Sequence, residues 1–407
     1  METPAAAVTP TAVELEKQYL IQNYARIPVT LQRGKGCYVY DTQGKRYLDL
    51  ISGIGVNALG YAHPRITKVL REQAGLLVHS SNLFYHEYQG PLAKRLCELS
   101  GLQRAFFGNS GTEVTEGAIK MMHAHGRRIA PEKYEVIALE GSFHGRTMGS
   151  LSITGQPKYR QDFEPGMPGA KWVPIGDLAA LEAAVNANTC GIIFELVQGE
   201  GGVNPVPLPF ARRARELADR FDALLCFDEI QCGLGRTGTH FAYQMAKPAI
   251  LPDIVVTAKP IANGLPLGAI LANEKAAATL GPGMHGSTFG GGPLACRVAL
   301  EFLDVLDEIL PAITDLGAYF RRGLTDLARR YEFIREIRGY GLMIGVDLKT
   351  PGKQIVLDAL EEGLLVNCTR ETVIRMLPPY VITEADIDRA LEGLDKVFAR
   401  QAARGEG

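Results

Sequence analysis

The stretch Asp253–Asn273, DIVVTAKPIANGLPLGAILAN, decides how the chain is read. Its two ends, DIVVT and AILAN, are short apolar runs rich in β-branched residues, the pattern of strands buried on both faces. Between them Pro260 forbids the first strand from continuing, and Gly264 and Gly268 let the backbone turn. Lys259 therefore stands at the carboxyl end of a buried strand, where an amine needs a reason.

Outward from this stretch, strands alternate with helices. RAFFG (104–108) precedes helical EVTEGAIKMMHAH, YEVIAL (134–139) precedes the loop GSFHGRT, LAALEAAVNA precedes GIIFEL, and FARRARELADRFD precedes ALLCFD. Continuous apolar strands between helices predict an α/β fold, a mostly parallel sheet covered on both faces. Upstream, GCYVYDTQGKRYLDLISG (36–53) alternates apolar and polar positions around DTQG, a hairpin signal. Downstream, a helix around LGAYFRRGLTDLARRYE, strands in FIREIRGYGLMIGVDL and a last helix after VITEADID predict a smaller α+β domain. The expected division is an N-terminal arm and hairpin segment over 1–50 packing with the small domain, a large domain over 51–305 and a small C-terminal domain over 306–407. Residues 1 to about 12 read as a disordered arm.

Composition narrows the partners. With 43 basic against 45 acidic residues, a formal charge of −2, the chain has no electrostatic footprint for nucleic acid or an anionic membrane. Seven cysteines without a C-x-x-C pair argue against a disulfide framework or zinc ribbon and for reduced thiols in the cytoplasm. No apolar run reaches the length of a membrane span, and the N-terminus lacks a secretory or transit pattern.

In an open parallel sheet, ligands gather beyond the carboxyl ends of the strands. Four such ends carry reactive groups. RAFFG runs into NSGTE, where Ser110, Gly111 and Thr112 offer hydroxyls and free N–H groups at a helix start, suited to a phosphate. GIIFE ends at Glu195, ALLCF at Asp228, and DIVVTA at Lys259. Each has a plainer reading: helix caps for Ser110 and Thr112, a cap or surface acid for Glu195, a pair with Arg236 for Asp228, a solvated strand end for Lys259. Their joint placement favours chemistry over four coincidences. An amine, a carboxylate and a phosphate cradle are what pyridoxal phosphate needs: the amine joins its aldehyde, the acid keeps its ring nitrogen protonated, and the helix start grips its phosphate.

The ordered set NSGTE, SFHGRT, ELVQGEGG, FDEIQCGLGRTG, TAKPIANGLPLG, HGSTFGGGPLAC and VIRMLPP resembles the class III, or ornithine-type, pyridoxal phosphate aminotransferases, and within them the acetylornithine aminotransferases. The resemblance runs from about residue 15 to near the end. It implies a fold type I transferase with a seven-stranded type of sheet and a cytoplasmic homodimer with shared active sites. Lys259 would be the Schiff-base lysine and Asp228 the partner of the ring nitrogen, with Gln231 reaching the ring hydroxyl region. Ser110, Gly111, Thr112, Phe143 and Glu195 would complete the cofactor site, with Thr288 from the second subunit. Arg146 and Arg375 would hold substrate carboxylates, Glu200 would mask Arg375, and Ser287 would assist. The implied reaction moves the distal amino group of N-acetylornithine to 2-oxoglutarate in arginine biosynthesis. Ornithine, succinylornithine, succinyl-diaminopimelate and 4-aminobutyrate are the alternative donors. Two positions depart from many relatives: Pro260 after the lysine, and Leu196 where proline is usual.

A rival signal is Gly233–Gly238, which fits G-x-G-x-x-G and raises an NAD-dependent oxidoreductase. Five residues intervene between strand and glycines and no clean helix follows, so it reads as a turn. None of the eight histidines has zinc-site spacing, and no metal is expected; His144 alone reads as local to the site.

Overall fold

The computed structural model describes residues 11–405. Residues 1–10 of the expected arm lie outside that range. Its end is corrected: Ala12–Tyr19 is a helix, capped by Thr11, whose hydroxyl accepts the Glu14 N–H at 3.2 Å while Glu14 reaches back to the Thr11 N–H at 2.7 Å.

The centre is a seven-stranded sheet in the order Arg104–Gly108, Gly268–Ala272, Ile254–Thr257, Leu224–Asp228, Thr189–Phe194, Glu135–Leu139, Ala170–Val173. Only Gly268–Ala272 runs against its neighbours. Alternate residues of the strands enter separate cores. Ile137, Ile192, Leu225 and Val255 pack in one, and Val136, Ile193, Cys226 and Val256 in the other. Burial on both faces is why these strands read as unbroken apolar runs. The edge strand Ala170–Val173 had no such run and escaped the sequence reading.

Two smaller sheets flank this body. One joins Leu31–Lys35, Tyr38–Asp41 and Arg46–Asp49 to Leu364–Leu365, so the N-terminal hairpin pairs with a strand more than three hundred residues later. The other orders Ile334–Tyr340, Met343–Leu348, Val373–Met376 and Asn367–Thr369, and carries Arg375. Residue 305 falls inside a helix: Pro293–Ala328 is continuous and starts well before the stretch LGAYFRRGLTDLARRYE in which the sequence pattern placed a helix. Pro311 removes one hydrogen bond inside it, but buried Val305, Leu306, Ile313 and Phe320 hold both halves against the core.

Candidate active site

Register brings the reactive strand ends together. Phe194 is aligned with Phe227, so Glu195, one residue on, is level with Asp228; Asp228 is aligned with Val256, so Lys259 lies three residues beyond that level. The N-terminus of helix Gly111–Ile129 opens on the same side. Between them lies a cavity of ≈540 Å³ lined by Ser110, Gly111, Thr112, Phe143, Arg146, Glu195, Glu200, Asp228, Gln231 and Lys259, a size that suits a cofactor with its substrate.

Asp228 is buried and fully partnered. His144 Nδ1 lies 2.7 Å from Oδ2, and Oδ1 accepts the Ile230 N–H at 3.1 Å. The plainer reading of Asp228 is thereby corrected: Arg236 instead donates to the carbonyls of Leu342 (3.0 Å) and Pro378 (2.6 Å), over 100 residues away in sequence. Glu195 is no surface acid either, at 4% exposure. Its oxygens accept the N–H groups of Phe143 (3.1 Å) and Gly199 (3.0 Å). Burial, and then the Asp228 charge, raise its pKa above the ordinary carboxyl value.

Lys259 opens a short 3₁₀ turn with φ of +37°, a conformation costly for a residue with a side chain and found where a site holds it. Burial lowers its pKa, against the pull of Glu200, which favours a neutral amine. Arg375 is 1% exposed and bonds Glu200 Oε1 (2.5 Å) and Gln231 Oε1 (3.0 Å). Burial works to raise the Glu200 carboxyl, but Arg375 and Lys259 outweigh it and its pKa falls. Arg375 is absent from the cavity wall itself; Glu200 stands between them.

The cradle at the helix start has the shape a phosphate needs. Ser110 caps the helix, accepting the Glu113 N–H at 3.4 Å. The N–H groups of Gly111 and Thr112, in the first turn, have no carbonyl four residues back to meet within the helix. A Cβ on Gly111 would come within 2.9 Å of Ile230, and one on Gly145 within 2.3 Å of Thr112 Oγ1, so backbone approach here depends on glycine. The Thr112 hydroxyl, 2.7 Å from those of Thr147 and Ser150, ties the helix to the Arg146 loop. His144 Nε2 is a buried nitrogen without a partner, a further sign that this side of the cavity is built for more than packing. These residues fit pyridoxal phosphate.

Arg146 is exposed, has no ion pair among the described residues and lies 4.1 Å over the Tyr159 ring, which itself meets Phe143 edge-on at 5.8 Å. Ser287 and Thr288 are not in the cavity wall. Ser287 Oγ accepts from Asn109 Nδ2 at 3.0 Å, at the rim, while Thr288 lines a separate crevice with His79, Asn82 and His86. Tyr159, and His144 as the partner of Asp228, were not assigned those contacts from sequence. The SFHGRT motif placed His144 nearby, but nothing in the pattern marked Tyr159.

Gly233–Gly238 forms turns followed only by a short 3₁₀ turn at Ala242–Met245, with no α-helix opening from the glycines, so it does not build a dinucleotide site. Among the described residues, no group of three or more His, Cys, Asp or Glu is arranged for a metal, and no helix is long and apolar enough to cross a membrane.

The sequence profile of the Aminotransferase class-III family matches residues 19–398. The acetylornithine aminotransferase of Methanocaldococcus jannaschii is 45% identical over 389 residues, covering 95% of this chain and 97% of the relative. That of Aquifex aeolicus is 45% identical over 381 residues, covering 93% and 100%. Among solved structures, the N-acetylornithine aminotransferase of Stenotrophomonas maltophilia is similar with a TM-score of 0.84 at 34% identity, over 96% of this chain and 100% of that one. An ornithine aminotransferase of Toxoplasma gondii gives 0.90 at 34% identity, over 95% and 94%.

Proposed function

The chain belongs to the class III aminotransferases, and from that premise we propose that it transfers the distal amino group of N-acetylornithine to 2-oxoglutarate, giving N-acetylglutamate 5-semialdehyde and glutamate, with pyridoxal phosphate as cofactor. The observation that carries the donor is the state of the three carboxylates in the cavity wall. Asp228 is held by His144, Glu200 by Arg375 and Glu195 by two backbone N–H groups. None is left to receive the second ammonium of free ornithine, and an N-acylated donor does not present one.

When bound, the cofactor supplies an aldehyde that takes the amine and a ring that accepts the electron pair left after proton removal. Lys259 Nζ, kept unprotonated by burial, would take the proton from the amine-bearing carbon and, as the resulting acid, give it back at the carbon across the C=N bond. Asp228, oriented by His144, would present its carboxylate to the ring nitrogen. Arg146 receives the carboxylate common to both substrates. Arg375 receives the second carboxylate of glutamate or 2-oxoglutarate once Glu200 swings away.

The same reading places the protein in arginine biosynthesis, in the cytoplasm, as a homodimer in which Thr288 serves the partner's site. Its seven free cysteines support the compartment. It also keeps three parts, 1–50, 51–305 and 306–407, for which the separate sheets speak, with the helix Pro293–Ala328 spanning the last two. A panel of N-acetylornithine, ornithine, succinylornithine, succinyl-diaminopimelate and 4-aminobutyrate, each tested for kcat/KM with 2-oxoglutarate, tests the donor. N-acetylornithine should lead ornithine by about tenfold or more, the scale of one unpaired buried charge or hydrogen bond. A preference for ornithine would overturn it.

A further inference from the structure

Glu195 connects two loops of the substrate site through one side chain. Oε2 accepts the Phe143 N–H at 3.1 Å, in the loop that also carries His144 and Arg146; Oε1 accepts the Gly199 N–H at 3.0 Å, one residue before Glu200. The second loop is tightly built. A Cβ on Gly199 would lie 1.9 Å from Gln231 Oε1, the atom that receives Arg375 at 3.0 Å. An outer link, Gln198 Nε2 to the Glu140 carbonyl at 2.9 Å, also joins the two loops. The inner link is the one that reaches Glu200.

A carboxylate suits this place because both of its oxygens accept and neither donates. Glutamine would turn an NH₂ toward one of the two N–H groups and lose that bond. Burying a carboxylate beside Asp228 is costly, so its presence asks for a function that an apolar residue would not perform. We infer that Glu195 is a positioning residue: it fixes the hinge from which Glu200 closes over Arg375, and so sets how strongly the enzyme separates substrates with one carboxylate from those with two.

This rests on the aminotransferase reading above, and the test keeps the two apart. Both half-reactions of the loaded enzyme are measured by single turnover, one with glutamate and one with whichever monocarboxylate ω-amino donor the wild type uses best. In Glu195→Gln the closed Glu200–Arg375 pair is weakened, so the ratio of kcat/KM values should shift toward glutamate by about tenfold, the loss of one buried hydrogen bond. Glu200→Gln should shift it the same way, and the double variant should go little beyond Glu200→Gln alone. If Glu195→Gln does not accumulate as folded protein, Glu195→Asp keeps both acceptors on a side chain too short to reach both loops and gives the same readout. Equal losses in both half-reactions, or shifts that add in the double variant, would overturn the inference. A wild type that prefers another monocarboxylate donor would overturn the proposed donor while leaving this ratio measurable.

Discussion

His144 Nδ1 and Asp228 Oδ2 are 2.7 Å apart, both side chains buried, at the end of the central strand Leu224–Asp228. The carboxylate accepts this bond, so the imidazole fixes the rotation of the acid that, on the proposed reading, would face the ring nitrogen. Removing a preorganised charge from a dry site typically costs about two to three decades in rate. Asp228→Ala should lower turnover by that much while cofactor retention, governed by the phosphate cradle, weakens less. Steady-state kinetics beside a cofactor titration checks this; near-normal turnover would show that the acid lies elsewhere.

Arg375 and Arg146 should separate in their effects. Arg375 is paired with Glu200 and on the proposed reading would serve only a second carboxylate, whereas Arg146 has no ion pair among the described residues. Arg375→Ala should slow the glutamate half-reaction by about a hundredfold, the cost of a lost charge-assisted bond, and the N-acetylornithine half-reaction far less. Arg146→Ala should slow both. Equal losses in Arg375→Ala would refute the division.

Glu229 gives stability a pH dependence. Burial lifts its pKa from 4.5 to about 7, although the Ala242 and Tyr243 N–H groups, at 2.9 and 3.1 Å, favour the charged form. A raised folded-state pKa means the folded protein binds the proton more tightly than the unfolded chain. Its stabilising contribution is therefore complete below pH 4.5 and lost as pH climbs to about 7. Relative to Glu229→Gln, the wild type should lose up to about 3 kcal/mol over that window. Denaturant unfolding of both proteins from pH 4.5 to 8 measures the difference; a flat difference would show that Glu229 does not titrate there.

Thr288 tests the shared site. It lies outside the cavity of its own chain, in the crevice with His79 and His86. Lys259→Ala and Thr288→Asp should each be nearly inactive alone. In a mixed dimer with Thr288 acting in trans, one site carries both lesions and the other neither, so each heterodimer formed on mixing after dissociation should have about half the activity of a wild-type dimer. Verified heterodimers without recovery would count against it.

How far the sequence could be read depended on where each residue's partner lies. Buried strands such as Thr189–Phe194 and Leu224–Asp228 announce themselves because both faces are covered and their interiors, GIIF and LLCF, carry no polar side chain. Their ends located Lys259, Asp228 and Glu195 for the same reason. Distant partners were not legible: Arg236 meets Pro378, and Arg46–Asp49 pairs with Leu364–Leu365, contacts that no local pattern encodes. The continuity of Pro293–Ala328 was hidden by Pro311, since propensity argues for a break that packing prevents. Whether Asp228 would pair with Arg236 or His144 was likewise a tertiary matter, decided by which loop crosses the strand end.

The central claim is that Lys259 carries the amino transfer, and the visible absorption of the loaded protein tests it most directly. Wild-type protein should show the band of a lysine-linked pyridoxal, lose it on addition of N-acetylornithine and regain it with 2-oxoglutarate. Lys259→Ala should retain phosphate-held cofactor without that linkage and fall by about three decades or more in turnover, the scale expected when the proton-moving group is lost. Cycling of the band in wild type with turnover abolished in Lys259→Ala is the predicted result; turnover by Lys259→Ala near the wild-type rate would contradict the account.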